Sequence, residues 1–202
     1  MRTRGRNLVS GALHLEITAS SIERAHADLA AVWIFCDERP LQGNSGRVDW
    51  RLCGRLSALV TGQRLHGEPG EAALVATSGG LSVPWLLVVG AGPREAFDAR
   101  RFEEVVCDAV GRAAALQART LALSLPDDRV GKAAQERRAR ALLTGAAAGL
   151  ASFGRGAELH LRLLVAGEDA SYTAELLRRA RPARLPGEVA LRLPGAAAAV
   201  SA

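Results

Sequence analysis

Apolar runs and short polar breaks alternate most regularly between residues 71 and 128. An apolar run at 72–76 meets the break Thr77-Ser78-Gly79-Gly80. A second run, Pro84-Trp85-Leu86-Leu87-Val88-Val89, ends in Gly90-Ala91-Gly92-Pro93-Arg94. Apolar positions then recur at helical spacing from 98 to 117. A third run follows, Thr120-Leu121-Ala122-Leu123-Ser124-Leu125, stopped by Pro126-Asp127-Asp128. Strand, glycine turn, amphipathic helix and strand make a parallel βαβ unit. Its strands read as unbroken apolar runs because both of their faces are covered.

The flanks follow the same logic. Residues 12–19 alternate Leu13, Leu15 and Ile17 with His14, Glu16 and Thr18, the period of a half-buried strand, here expected at a sheet edge. Residues 27–36, with Leu29, Val32, Trp33, Ile34 and Phe35, predict a buried strand closed by Asp37-Glu38-Arg39-Pro40. A turn is predicted at 42–46 and one helix over 48–62, with Gly62 as its stop. A basic, glycine-containing loop occupies 63–70. Past the central unit, 130–150 predicts a long helix whose small apolar second half would let it sit close on the sheet. A turn at 152–156 and a strand at 159–165 come next. Residues 170–181 predict a helix with Tyr172, Leu176 and Leu177 facing inward and a basic last turn, which suits the helix dipole. A short strand is expected at 188–193. Together these elements predict an α/β fold, a three-layer α/β/α sandwich around a mixed, mostly parallel sheet. The expected organisation is a flexible basic arm at 1–11, one domain over 12–193, and a disordered small-residue tail at 194–202.

Hydrophobic residues make up 49% of the chain and mean hydropathy is +0.07. No run approaches the ~18 apolar residues of a membrane span, so no membrane partner is expected. The basic N-terminus precedes only a short, broken apolar stretch, a poor match to a signal peptide. The three cysteines Cys36, Cys53 and Cys107 are odd in number and dispersed in apolar settings. They predict reduced, structural thiols and a cytoplasmic location. Net charge is +5, yet Lys132 is the only lysine, so a compositional preference for arginine accounts for much of the basicity. Arginine clusters at Arg2/Arg4/Arg6, Arg137/Arg138/Arg140 and Arg178/Arg179/Arg181/Arg184 keep nucleic acid as an alternative partner. Aromatic content of 4% leaves few bases' worth of stacking platform.

Gly90, Gly92 and Arg94 are the candidate ligand-binding residues, because they follow a strand and precede a helix, where phosphate-binding turns sit. The third glycine of a dinucleotide fingerprint is missing, Pro93 removes a backbone donor, and no Gly-Lys-Ser/Thr makes a P-loop. His14, His26, His66 and His160 show no metal-ligand spacing, and His14 and His160 fall on outward positions of their strands. Neither a metal nor another cofactor is expected. The carboxylate pairs Asp37-Glu38 and Asp127-Asp128 lie where turns favour aspartate, and Glu103-Glu104 lies within the predicted helix. No serine stands in a nucleophile elbow. No catalytic residue is assigned.

The order of these segments resembles a known family. The strand Asp28-Leu29-Ala30-Ala31-Val32-Trp33-Ile34-Phe35, the loop Gly67-Glu68-Pro69-Gly70-Glu71 and the run Leu86-Leu87-Val88-Val89-Gly90-Ala91-Gly92-Pro93-Arg94-Glu95 are similar in order to the N-terminal domain of the cytosolic leucyl aminopeptidases. There a G-x-x-G-E loop enters a strand, and a V-L-L-V-G-L-G-K-x-E run precedes a helix. The resemblance extends in order over about residues 28–181. It implies a macro-domain-like fold. It also implies that peptidase chemistry belongs to a separate C-terminal domain, where lysine, aspartates and glutamate hold two metal ions around an N-T-D-A-E-G-R motif. That motif is absent from these 202 residues, and a two-metal hydrolase needs a carboxylate cage to hold its ions. The expectation is therefore a non-catalytic, stand-alone module. In the family the N-terminal domain contributes to hexamer architecture and, in some bacterial members, to DNA binding. The expected partner is the chain itself or a full-length aminopeptidase. The alternatives are a nucleotide-phosphate binder of macro-domain type or an arginine-based nucleic-acid binder.

Overall fold

The computed structural model describes residues 11–124, 131–153, 156–165, 169–186 and 189–193. Residues 1–10 of the arm predicted at 1–11, the Pro126–Asp128 stop and the tail after 193 lie outside the described residues, whereas Gly11 belongs to the first strand rather than to an arm. The elements run β1 (Gly11–Ala19), β2 (Leu29–Phe35), α1 (Gly43–Arg51), α2 (Arg55–Thr61), β3 (Ala72–Ala76), β4 (Trp85–Gly92), α3 (Ala99–Ala115), β5 (Thr120–Ser124), α4 (Lys132–Phe153), β6 (Ala157–Val165), α5 (Ala170–Ala180) and β7 (Ala190–Arg192).

One seven-stranded sheet carries them in the order β3-β4-β2-β5-β6-β1-β7. Every pairing is parallel except β3 with β4, which is antiparallel. The central βαβ unit is β4-α3-β5, with β2 lying between its two strands. The sandwich is α/β as the pattern of runs requires, because strands buried on two faces need helices on both. On one face α3, α4 and α5 pack over Leu13, Leu15, Ile17, Leu87, Leu121, Leu123 and Leu161. On the other, α1 and α2 bring Val48, Leu52 and Leu56 onto Ala30, Val32, Ile34, Leu86 and Val88. That second layer reaches only part of the sheet. Over β1 and β6 the same face presents His14, Glu16, Thr18, Glu158, His160 and Arg162, all at least partly exposed.

Several expectations are corrected. β1 alternates as predicted but is not an edge strand, since β7 adds beyond it. The helix predicted over 48–62 is two helices, and the predicted turn at 42–46 is the first turn of α1. The break falls at Cys53 and Gly54, both left-handed at φ 54 and 77. Asp49, buried near the end of α1, accepts the N–H of Leu56 at 2.7 Å and of Ser57 at 3.1 Å, so it caps α2 from inside α1. Tyr172 is 47% exposed rather than inward, and its hydroxyl pairs with Gln135 Oε1 at 2.6 Å. Ser152 and Phe153, expected in a turn, extend α4. The small residues of α4 bring it onto β1 and β6, as expected, and also against α3. A Cβ at Gly145 would overlap the Glu103 carbonyl and one at Gly149 the Cys107 carbonyl, so these glycines set α4 against α3.

Candidate functional site

Gly90, Ala91 and Gly92 are the last residues of β4 rather than a turn after it. The β2–β4 register slips between Ile34 and Phe35, which pair with Gly90 and Gly92, so Ala91 is the extra residue of a bulge. The loop before β3 lies across this stretch. Glu71 is its clasp: one carboxylate oxygen accepts the N–H of His66 at 2.8 Å, Gly67 at 2.7 Å and Glu68 at 3.2 Å. The other lies 3.1 Å from His66 Nδ1. Burial would raise the Glu71 pKa, but these donors outweigh it and hold the carboxyl below its usual range. The clasped loop lays the Glu68 carbonyl where a Cβ on Gly90 would stand. The motif glycines of loop and strand therefore answer one another.

The backbone donors of Gly90, Gly92 and Arg94 are all in use. Gly90 donates to Glu71 O at 2.8 Å and Gly92 to Gly67 O at 2.8 Å. The Arg94 N–H points at both Asp37 carboxylate oxygens, at 3.0 and 3.1 Å. Its guanidinium pairs with buried Glu38 and lies over the Phe35 ring, 4.3 Å from the centroid. The structure thus brings Gly90, Gly92 and Arg94 together, with Asp37 and Glu38, in an internally satisfied corner. Cys36 stands beside it; burial, then the Glu68 and Asp37 charges, push its thiol pKa up, which leaves little thiolate. Cys53, expected in an apolar setting, is exposed.

A second corner was not legible in the sequence. β2 leads into α1 on one face, while β5 is followed by α4 on the other, and these strands are neighbours. Where connections diverge in this way, α/β sheets open a crevice at their carboxyl ends. Here Asn44, in the first turn of α1, donates to Ser124 Oγ at the end of β5, and Arg47 donates to Asn44 Oδ1. Eighty positions separate Asn44 from Ser124, so no local spacing could have announced the pair.

The third feature is the sheet edge. β3 reads Ala-Ala-Leu-Val-Ala, with neither charge nor proline to blunt it. Pairing puts Leu74 opposite Leu87 and Ala76 opposite Trp85, so Leu74, Ala76 and Trp85 share the α3-side face. Leu74 is 43% and Trp85 46% exposed. Glu71 and Thr77 bond across to Gly90 and Pro84. By antiparallel alternation the polar groups of Ala73 and Val75 also face β4, and those of Ala72, Leu74 and Ala76 point outward. Arg55 already occupies the outward Ala76 carbonyl at 3.1 Å. Of the arginine clusters, Arg178 and Arg179 are held by Glu175 at 3.4 and 2.8 Å. No helix among the described residues is long and apolar enough to cross a membrane.

The profile described as the cytosol aminopeptidase family, N-terminal domain, matches residues 31–155. A probable cytosol aminopeptidase of Xylella fastidiosa strain M12 is 30% identical over 99 residues, 49% of this chain and 20% of that protein. The match therefore spans about a fifth of the length of that curated relative. Among solved structures, a mutant of tomato leucine aminopeptidase superposes with a TM-score of 0.65 at 20% identity, over 85% of this chain and 36% of that one. The Oceanobacillus iheyensis macrodomain with ADP superposes at 0.60 with 12% identity, over 82% and 90% of the two chains. These similarities show a macrodomain-like fold. With the domain profile matching more than half of its length, the chain belongs to the cytosol aminopeptidase family, whose N-terminal domain it carries.

Proposed function

We propose that the chain is a non-catalytic interaction module that self-associates, or joins a full-length aminopeptidase of its family, through the β3 edge. The observation that carries this reading is the uncharged edge strand flanked by exposed Leu74 and Trp85. An antiparallel copy centred near Ala73 would pair Ala72 with Leu74 of the second chain and Leu74 with its Ala72, a self-complementary contact of two-fold type. Four of the described carboxylates have structural duties, which suits a module without catalysis of its own. Asp49 and Asp98 cap helices, Glu71 clasps a loop, and Asp28 ties β2 to β5 by accepting the N–H groups of Arg119 and Thr120.

Native mass spectrometry of the purified chain, alone and mixed with an aminopeptidase of the family, tests the reading. A defined oligomer or mixed complex that Leu74→Lys converts to monomer is the expected result. A monomer under every condition, or an oligomer indifferent to Leu74→Lys and Trp85→Lys, overturns it.

A second reading is a small-anion or nucleotide binder. It rests on the polar Asn44–Ser124 pair at the first turn of α1, at the divergence of β2 and β5. The macrodomain with ADP shares the fold at 12% identity. A saturable rise in melting temperature with ADP, lost in Asn44→Ala, would favour it. No rise would remove it. At the Gly90–Arg94 corner an anion would have to displace Glu71 O, Gly67 O and Asp37 from the donors they now hold.

A further inference from the structure

We propose that the open face of β1 and β6 holds a divalent transition-metal site of the zinc class, built from His14, Glu158 and His160. The sheet itself assembles it. β1 and β6 pair in parallel with His14 directly across from His160 and Ala12 across from Glu158. Glu158 precedes His160 by two residues, so it projects from the same face and lies diagonally beside His14. One donor atom from each side chain lies within 4.8 Å of the others.

The two imidazoles are stacked, with centroids 4.5 Å apart and planes 16° from parallel. An imidazole binds a metal through the lone pair in its ring plane, so the two near-parallel rings do not aim at a common point as they stand. Binding one ion requires both side chains to turn out of the stack until their nitrogens and the Glu158 carboxylate converge on it.

A second observation points the same way. His14 Nε2 lies 2.9 Å from Glu158 Oε1, yet off the line of a hydrogen bond, and it is buried with no other partner. Buried polar atoms are normally satisfied, and a missing ion is one reason for an exception. Two neutral imidazoles and a carboxylate suit zinc, copper or nickel better than calcium or magnesium, which prefer all-oxygen shells. His160 and Glu158 are both exposed, so the outward positions of the shell are open to water. The surrounding charges are nearly balanced. Arg162 is held by Glu16 at 3.0 Å and by the His26 carbonyl. Arg192, opposite His14 on β7, is the positive charge a bound cation meets on that side. An ion here would bridge a strand near the start of the chain to one far along it, and would stabilise the folded form because unfolding separates its ligands.

The test is isothermal titration of zinc ions into the full chain, freed of any polyhistidine tag, at neutral pH. One ion per chain is expected, with affinity reduced at least tenfold in His14→Ala and in His160→Ala, and also weakened in Glu158→Gln. The exposed His160→Ala variant keeps the test informative should His14→Ala fail to fold. NMR of the histidine side chains gives an independent readout: His14 and His160 resonances shift on titration, and those of His26 and His66 stay in place. Absence of saturable binding, binding that survives both alanine variants, or shifts at His26 and His66 instead, overturns the proposal.

Discussion

At the scale of single residues, Glu71 gives the loop motif its physical meaning. Its carboxylate gathers consecutive N–H groups at 66–68, and the loop so tied fills the space that Gly90 leaves empty. The pKa is lowered on folding, so the carboxylate contributes stability at pH values above its ordinary range. That contribution is lost as pH falls through the lowered folded value. Glu71→Gln is expected to cost about 1–2 kcal/mol near neutrality. In a domain of this size that lowers Tm by roughly 2–8 °C. The difference from the parent should shrink progressively as the pH of a thermal melt falls below the ordinary carboxylate range, and vanish only below the lowered folded value, where both chains are neutral at this position. Gly90→Ala sets a methyl group against a backbone carbonyl that cannot rotate away, and is expected to cost roughly 3 kcal/mol in urea unfolding. A paired Glu71→Gln/Gly90→Ala chain should lose less than the sum of the two, because they act on one loop.

At the scale of elements, periodicity and covering partner separate. The apolar positions Val48, Leu52 and Leu56 recur at helical spacing and all face the sheet. They do so across a break, because the Asp49 cap turns α2 back into phase with α1. The signal for the break was local, Cys53-Gly54 after Asp49, but its meaning depended on a side chain reaching seven residues ahead to cap a new helix. Asp49→Ala is expected to cost about 1–2 kcal/mol. Amide exchange should quicken at 55–61 while 43–48 stays protected, and equal loss in both segments would count against the cap. α3 was fully legible by comparison: Asp98 accepts the Arg101 N–H at 2.8 Å, and the predicted span from 98 differs from Ala99–Ala115 only at its ends. For α4 the small residues were visible, but not that Gly145 and Gly149 would meet α3.

At the scale of the molecule, the consequential features are the order of strands and the parts of the sheet left uncovered. β3 terminates one side with outward-pointing Ala72 and Leu74. If the chain pairs through this edge, amide exchange at Ala72 and Leu74 should slow as protein concentration rises. Ala73 and Val75, bonded to β4, should keep constant rates. Concentration-independent exchange at all of them would speak against pairing through this edge. The opposite half of the sheet leaves a polar face in which His14 and Glu158, far apart in sequence, become neighbours.

What the sequence determined by itself was the local alternation: which runs are strands, which are helices, and which face of each is apolar. These follow from the periods of the backbone and from the cost of leaving apolar side chains in water. The tertiary structure alone decided that β1 lies inside the sheet, that the Gly90–Arg94 corner is closed by its own loop, that Asn44 meets Ser124, and that two histidines stack across β1 and β6. The reason is physical. A residue's neighbours in sequence fix the direction in which it points, whereas the element that meets it there is chosen by the packing of the whole chain.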